Sequence, residues 1–267
     1  MEILKCPVCG QALEHHNRIW ACENRHSYDV AKEGYVNLLS AQKSGDMTGD
    51  NKEMARSRRD FLNKGYYEPL AQAVTQSLAQ YSAHGDSVLD ICCGEGYYTA
   101  YAAEKLNRRF YGFDLSKSMV RLAAKRKISA QFFVANIAAI PIRDGAVKAA
   151  FHLFAPFHAA EFRRVIADDG VLLSAIPGRD HLIGLKEVLY DTPYLNDEKE
   201  PQTEGFKVVE RIRVQGEISL DSREDIDALF RMTPYYYHTP SRGMKRLEER
   251  DSLSTPIDFV IIVCKKT

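Results

Sequence analysis

The spacing of apolar positions changes along the chain. From residue 87 onward, short continuous apolar runs at 88–91, 109–113, 130–134, 147–153 and 171–176 alternate with helical spacing over 97–106 and 117–127. Continuous runs of this length read as strands buried on both faces. Their alternation with helices implies right-handed βαβ crossovers and a parallel sheet covered on both sides. The end of the chain changes character: 207–220 and 259–265 read as strands separated by a helix at 222–231, consistent with an antiparallel addition at the far edge of the sheet. Upstream, Met54, Phe61, Leu62, Leu70, Val74 and Leu78 keep helical spacing across 53–80, broken near Gly65 and Pro69. Residues 28–39 are apolar enough to pack on something, whereas the Gly, Ser, Thr and Asp content of 40–52 reads as a mobile linker or an RNA-ordered loop.

Composition narrows the class. With 267 residues the chain can hold one large domain and a small one. No apolar run approaches the roughly 20 residues of a membrane span, so no membrane partner is expected. The start, Met-Glu-Ile-Leu-Lys, lacks the regions of a signal peptide, which makes the cytoplasm the expected compartment and disulfides unexpected for the six cysteines. The 36 basic and 36 acidic residues cancel, so bulk charge does not announce a nucleic-acid binder. Local clusters exist at Arg56, Arg58 and Arg59, at Lys105, Arg108 and Arg109, and at Arg121, Lys125, Arg126 and Lys127. Each reads as a solvated helix face or as a phosphate contact.

Two stretches carry chemistry. Cys6, Cys9, Cys22 and His26 form C-x2-C-x12-C-x3-H, two close ligand pairs that can converge on a tetrahedral ion. Three thiolates and an imidazole suit zinc; the alternative is incidental buried cysteines, and His15 or His16 could replace His26. A segment of 39 residues needs such a staple, so metal removal is expected to unfold it. The second stretch, 88–99, reads strand, glycine turn, helix: Asp90 stands near the strand's end, and Gly94 and Gly96 allow close approach to a ligand at the helix start. Asp114 ends the next strand, 24 positions beyond Asp90, where a carboxylate accepts the ribose hydroxyls of an adenosine or caps the following helix. NAD and S-adenosylmethionine share that geometry. Glu95 inside the turn would repel a pyrophosphate and is tolerable beside a sulfonium cofactor with a free amino group.

The run Asp-Ile-Cys-Cys-Gly-Glu-Gly-Tyr-Tyr-Thr, followed by Gly-Phe-Asp-Leu-Ser, resembles the first two motifs of class I S-adenosylmethionine-dependent methyltransferases. With Cys-Pro-Val-Cys, Ala-Arg-Ser-Arg-Arg-Asp-Phe-Leu, Gly-Tyr-Tyr-Glu-Pro-Leu and Pro-Gly-Arg-Asp-His-Leu, the chain looks like the bacterial 23S rRNA guanine-N1 methyltransferases of the RlmA type over nearly its whole length. The resemblance implies a Rossmann-like α/β fold with a mostly parallel seven-stranded sheet and an antiparallel edge, plus a small zinc-binding domain. The division expected is 1–39 zinc and RNA recognition, 40–80 linker and helices, 81–267 methyltransferase. It implies zinc on Cys6, Cys9, Cys22 and His26, and S-adenosylmethionine contacts at Tyr67, Asp90, Gly94, Glu95, Gly96, Tyr97, Asp114, Asn136 and His181. It also implies 23S rRNA as partner and two subunits forming one RNA cleft. Cys92 replaces the family's first loop glycine, which predicts a negative φ there and puts cofactor affinity in question.

Methylating guanine N1 requires loss of its proton. His181 and His158, in the Phe-Ala-Pro-Phe-His turn after the fourth strand, are candidate bases, and Tyr235, Tyr236 and Tyr237 are candidates for stacking an extruded base. The rival readings are a small-molecule methyltransferase with a zinc appendage and a non-catalytic zinc-dependent RNA-binding adaptor.

Overall fold

The computed structural model describes residues 2–39, 52–199 and 204–267. The first elements are three short strands, β1 (Glu14–His16), β2 (Ile19–Ala21) and β3 (Ser27–Asp29), paired antiparallel in the order β1-β2-β3. Strand β4 (Val36–Asn37) follows, then helices α1 (Lys52–Asn63) and α2 (Glu68–Tyr81), separated at Gly65 and started again by Pro69 in the first turn of α2, where its missing N–H costs nothing. The expected 40–52 linker falls, but for Lys52, outside the described residues.

The alternating half comprises β5 (Ser87–Ile91), α3 (Tyr97–Lys105), β6 (Arg109–Asp114), α4 (Lys117–Ala124), β7 (Ala130–Val134), β8 (Val147–Leu153), α5 (Ala159–Val165), β9 (Ile166–Pro177) and α6 (Ile183–Leu189). It closes with β10 (Phe206–Leu220), α7 (Arg223–Arg231), a 3-10 turn Pro234–Tyr237, α8 (Ser241–Glu248) and β11 (Leu253–Lys266). These form one sheet in the order β10-β11-β9-β8-β5-β6-β7-β4, parallel from β9 to β4 and antiparallel where β11 joins β9 and β10 joins β11. No helix among the described residues is long and apolar enough to cross a membrane.

The period of two sorts each strand's side chains between two cores. Val88, Phe151, Leu173 and Ile261 join Leu70, Val74 and Leu78 of α2 and Leu185 of α6 on one face. Leu89, Ile91, Ala150, Leu172 and Ile262 face the other way, and there the covering side chains come partly from the amino terminus: Leu4, Leu13, Trp20, Val36 and Leu38. Residue 4 bridges to Ile142, and the Leu38 N–H donates to the Val134 carbonyl at 3.0 Å. The cysteine-bearing segment therefore shares a core with the sheet.

The eighth strand is one more than the resemblance implies. Strand β7 would otherwise leave an open edge of backbone donors and acceptors, and Val36–Asn37 pairs with Phe133–Val134 to cover it.

Candidate active site and metal centre

The turn after β5 is built from backbone that few side chains tolerate. Gly94 has φ +54° and Gly96, the N-cap of α3, φ +79°. A Cβ on Gly96 would stand 2.8 Å from Ala123 Cβ, so the close packing of α3 against α4 requires glycine here. Cys92 corrects the expectation of a negative φ: it sits at +59°. The cysteine adopts a left-handed bend that glycine takes freely, at a cost of about 1–2 kcal/mol. Its thiol is pushed up to about 12 by burial and by Asp114 and Asp90, so it is no nucleophile.

The turn is tied down from β6. Asp114 accepts the Gly94 N–H at 3.0 Å through Oδ2 and the Ser116 N–H at 2.8 Å through Oδ1. Ser116, not Asp114, caps α4, its hydroxyl accepting from Met119 N–H. Asp114 is thereby fixed at the carboxyl end of β6, beside the turn.

A cavity of about 70 Å³ lies against this turn, lined by Asp90, Cys92, Cys93, Gly94, Glu95, Tyr97 and Tyr98 from β5, the turn and α3, and by Arg58, Leu62, Tyr67, Leu153, Phe154 and Met232 from other parts of the chain. Asp90 accepts from Thr99 Oγ1 at 2.5 Å, and burial raises its carboxyl to about 8. Glu95 is 1% exposed, and its carboxylate is held by Arg126 Nε at 3.0 Å and by Arg126 Nη2. Burial raises the Glu95 carboxyl against the lowering pull of Arg126. Glu95 Oε1 has no hydrogen-bond partner among the described residues. Two buried carboxylates, one of them favouring its proton and the other with an idle oxygen, suit a cationic ligand. Together with Asp114 they match the amino, sulfonium and ribose groups of S-adenosylmethionine.

The other expected contacts are spread more widely. His181 does not line the cavity: its Nδ1 accepts the Asp258 N–H at 3.3 Å, which leaves the Nε2 proton facing the Tyr67 hydroxyl at 3.3 Å. Burial lowers this imidazole to about 3, so it neither charges nor caps α6, whose N-cap is Leu182. Tyr67 stands between His181 and the cavity. His158 caps α5, accepting from Glu161 N–H, and does not line the cavity. Neither histidine is placed to take a proton from a base in the cavity. Asn136 lines a separate groove of about 680 Å³ between the amino-terminal segment and the sheet, with Cys6, Pro7, Leu38, Ile140 and Arg164. Tyr235 and Tyr236 are partly buried against the core around Tyr67, whereas Tyr237 is exposed. Arg58, Arg126 and Phe154 were given no individual role from the sequence; the basic runs hinted at the two arginines and the Phe-Ala-Pro turn at Phe154.

The second centre fits zinc. One ligand atom from each of Cys6, Cys9, Cys22 and His26 falls within 4.8 Å of all the others. Zinc bonds of about 2.3 Å to sulfur and about 2.0 Å to nitrogen, set tetrahedrally, space the ligands about 3.8 Å (S to S) and 3.5 Å (S to N) apart. Cys9 and Cys22 sulfurs are 3.6 Å apart, and His26 Nδ1 lies 3.6 Å from Cys6 and 3.5 Å from Cys22. Tyr28 donates its hydroxyl to Cys6 Sγ at 3.1 Å, orienting that thiolate from outside the cluster. His15 and His16 lie in β1 and are not among the four.

Residues 4–45 match the amino-terminal zinc-ribbon family of RlmA, and residues 88–170 a methyltransferase domain family. A 23S rRNA (guanine(748)-N(1))-methyltransferase of Streptomyces fradiae is 30% identical over 273 residues, covering 98% of this chain and 96% of its own. The chain belongs to the 23S rRNA guanine-N1-methyltransferase family. That membership names the two groups: zinc for the ribbon and S-adenosylmethionine for the methyltransferase domain. Among solved structures, Haemonchus contortus phosphoethanolamine N-methyltransferase 2, determined with S-adenosyl-L-methionine, superposes with a TM-score of 0.50 at 16% identity, covering 83% of this chain and 58% of its own. That likeness concerns the fold alone.

Proposed function

We propose that this chain transfers the methyl group of S-adenosylmethionine to N1 of a guanine in a hairpin of 23S rRNA. The carrying observation is the near-full-length similarity to an enzyme of that name, in a chain that joins the zinc ribbon and the cofactor turn through one shared core. When bound, the sulfonium supplies an activated methyl group for in-line displacement. Asp114 would accept the ribose hydroxyls, Asp90 and Glu95 would meet the cationic amino end, and Tyr67 and Tyr97 would wall the cofactor in. The rigid turn fixes alignment, which is the main demand of such a displacement.

The ribbon contacts the RNA, and its shared core with the sheet fixes the distance from that contact to the cavity. The enzyme works in the cytoplasm, and two copies form one RNA cleft; light scattering of the protein with and without the hairpin tests the latter. The catalytic reading is tested by incubating purified protein with labelled cofactor and unmodified 23S rRNA, then mapping the modified base. Label at guanine N1 is expected; label in small metabolites but not in rRNA rejects it.

A further inference from the structure

The reaction leaves two needs that the residues assigned so far do not meet: a flat surface that registers the acceptor ring, and a group that makes N1 nucleophilic. The cavity lining outside the cofactor turn offers both.

Phe154 follows β8 directly, on the strand next to β5. It has φ +57°, unfavourable for a bulky side chain, and is 44% exposed while lining the cavity. Its N–H donates to the Ala175 carbonyl at 3.2 Å, and its ring is braced by Phe259 with centroids 5.5 Å apart. Strand β5 ends in the same way, with Cys92 in the left-handed region on the same cavity. Strain and exposure of an aromatic ring are both unfavourable for folding alone, and their coincidence at a ligand cavity indicates a role in binding.

Arg58 reaches the cavity from α1, with Nη2 donating to the Met232 carbonyl at 3.4 Å. It is the one Lys, Arg or His lining the cavity among the described residues. The carboxylates there, Asp90 and Glu95, are engaged by Thr99 and Arg126. A guanidinium does not lose its proton and cannot act as a base, yet it stabilises an anion beside it.

We propose that Phe154 and Arg58 form the acceptor-base subsite, with Phe154 under the guanine ring and the Arg58 guanidinium at its O6–N1 edge. This rests on the guanine-N1 reading above. Beside the fixed positive charge the N1–H bond breaks, its proton passing to solvent water. The electron pair left on N1 forms the bond to the methyl carbon as the carbon–sulfur bond breaks, and sulfur keeps the pair of the broken carbon–sulfur bond. The anionic base and the sulfonium thus neutralise each other.

The test uses the full chain and an rRNA hairpin carrying 2-aminopurine at the position wild-type protein methylates, with S-adenosylhomocysteine present. Wild type and Phe154→Trp are expected to quench the fluorophore. Phe154→Leu is expected to leave it bright and to weaken binding about 5- to 150-fold, corresponding to one base–aromatic stack of roughly 1–3 kcal/mol. For Arg58→Gln, single-turnover methylation is expected to fall about 10- to 1000-fold near neutral pH, the equivalent of 1–3 pKa units on N1. That deficit closes as pH rises beyond the point where wild type levels off, and Arg58→Lys recovers part of it. Full quenching by Phe154→Leu, or an Arg58→Gln deficit constant at every pH, overturns the proposal while leaving the guanine-N1 reading intact. Absence of rRNA methylation by wild type overturns both.

Discussion

Asp90 should release a proton when S-adenosylmethionine binds. Its carboxyl is 3% exposed, donated to by Thr99, and raised by burial to about 8. At pH 7 such a group is about 0.9 protonated in the free protein. A cationic ligand beside it favours the carboxylate, and a drop of two units leaves about 0.1 of the proton bound, so about 0.8 proton leaves per site. At pH 9 the free protein has already lost most of it, and the release falls to about 0.1. Calorimetry at pH 7 in buffers of different ionisation enthalpy reads this number as a slope, and Asp90→Asn should flatten it. A zero slope for wild type at pH 7, with binding intact, refutes the reasoning. The sign carries over to stability. A carboxyl whose folded pKa is raised stabilises the free protein below its unfolded value of about 3.9, and that stabilisation is lost as pH rises towards 8. Cofactor should therefore stabilise more at pH 8 than at pH 5.

Further outcomes follow from other buried groups. Arg126→Met strands the Glu95 carboxylate and should cost about 3–5 kcal/mol in urea denaturation, with Glu95→Gln added to it restoring most of the loss; a cost below about 1 kcal/mol contradicts the buried pair. Cys92→Val should lower the denaturation midpoint because a β-branched residue resists φ +59°, whereas Cys92→Gly should hold cofactor affinity within a few-fold, as measured by calorimetry. Zinc chelation should release one ion per chain and shift Trp20 emission to the red, because the chain's single tryptophan is 3% exposed in the core shared by ribbon and sheet; metal release with unchanged emission contradicts that packing.

Much of this was legible where the signal is local. The strands from β5 to β9 show as apolar runs, and the zinc ligands lie in two short pairs whose spacing alone brings them together. What escaped depends on distant partners. Strand β4 is two residues long and exists because β7 offers an edge. Strand β11 begins at Leu253 rather than near Phe259; the added stretch, Pro256 included, pairs with β10 alone, where an edge tolerates proline. Glu95 looked like a charge standing free in the turn until Arg126, 31 positions on, proved to hold it. His181 looked like a base because it follows a strand end facing the crevice. Its Nδ1 is taken by the backbone of β11, 77 positions away, which no local pattern could reveal.

The central claim is that this chain methylates guanine N1 of 23S rRNA with both centres in use. Its most direct test is transfer of labelled methyl from S-adenosylmethionine to unmodified 23S rRNA by wild-type protein and by a Cys22→Ser variant, with the product base mapped and cofactor affinity measured on the same samples. The account predicts 1-methylguanine at one hairpin position for wild type, and in the variant a loss of rRNA methylation larger than any loss of cofactor affinity. Methyl transfer to another atom, to no rRNA base, or equally well without the ribbon's zinc ligand would contradict it.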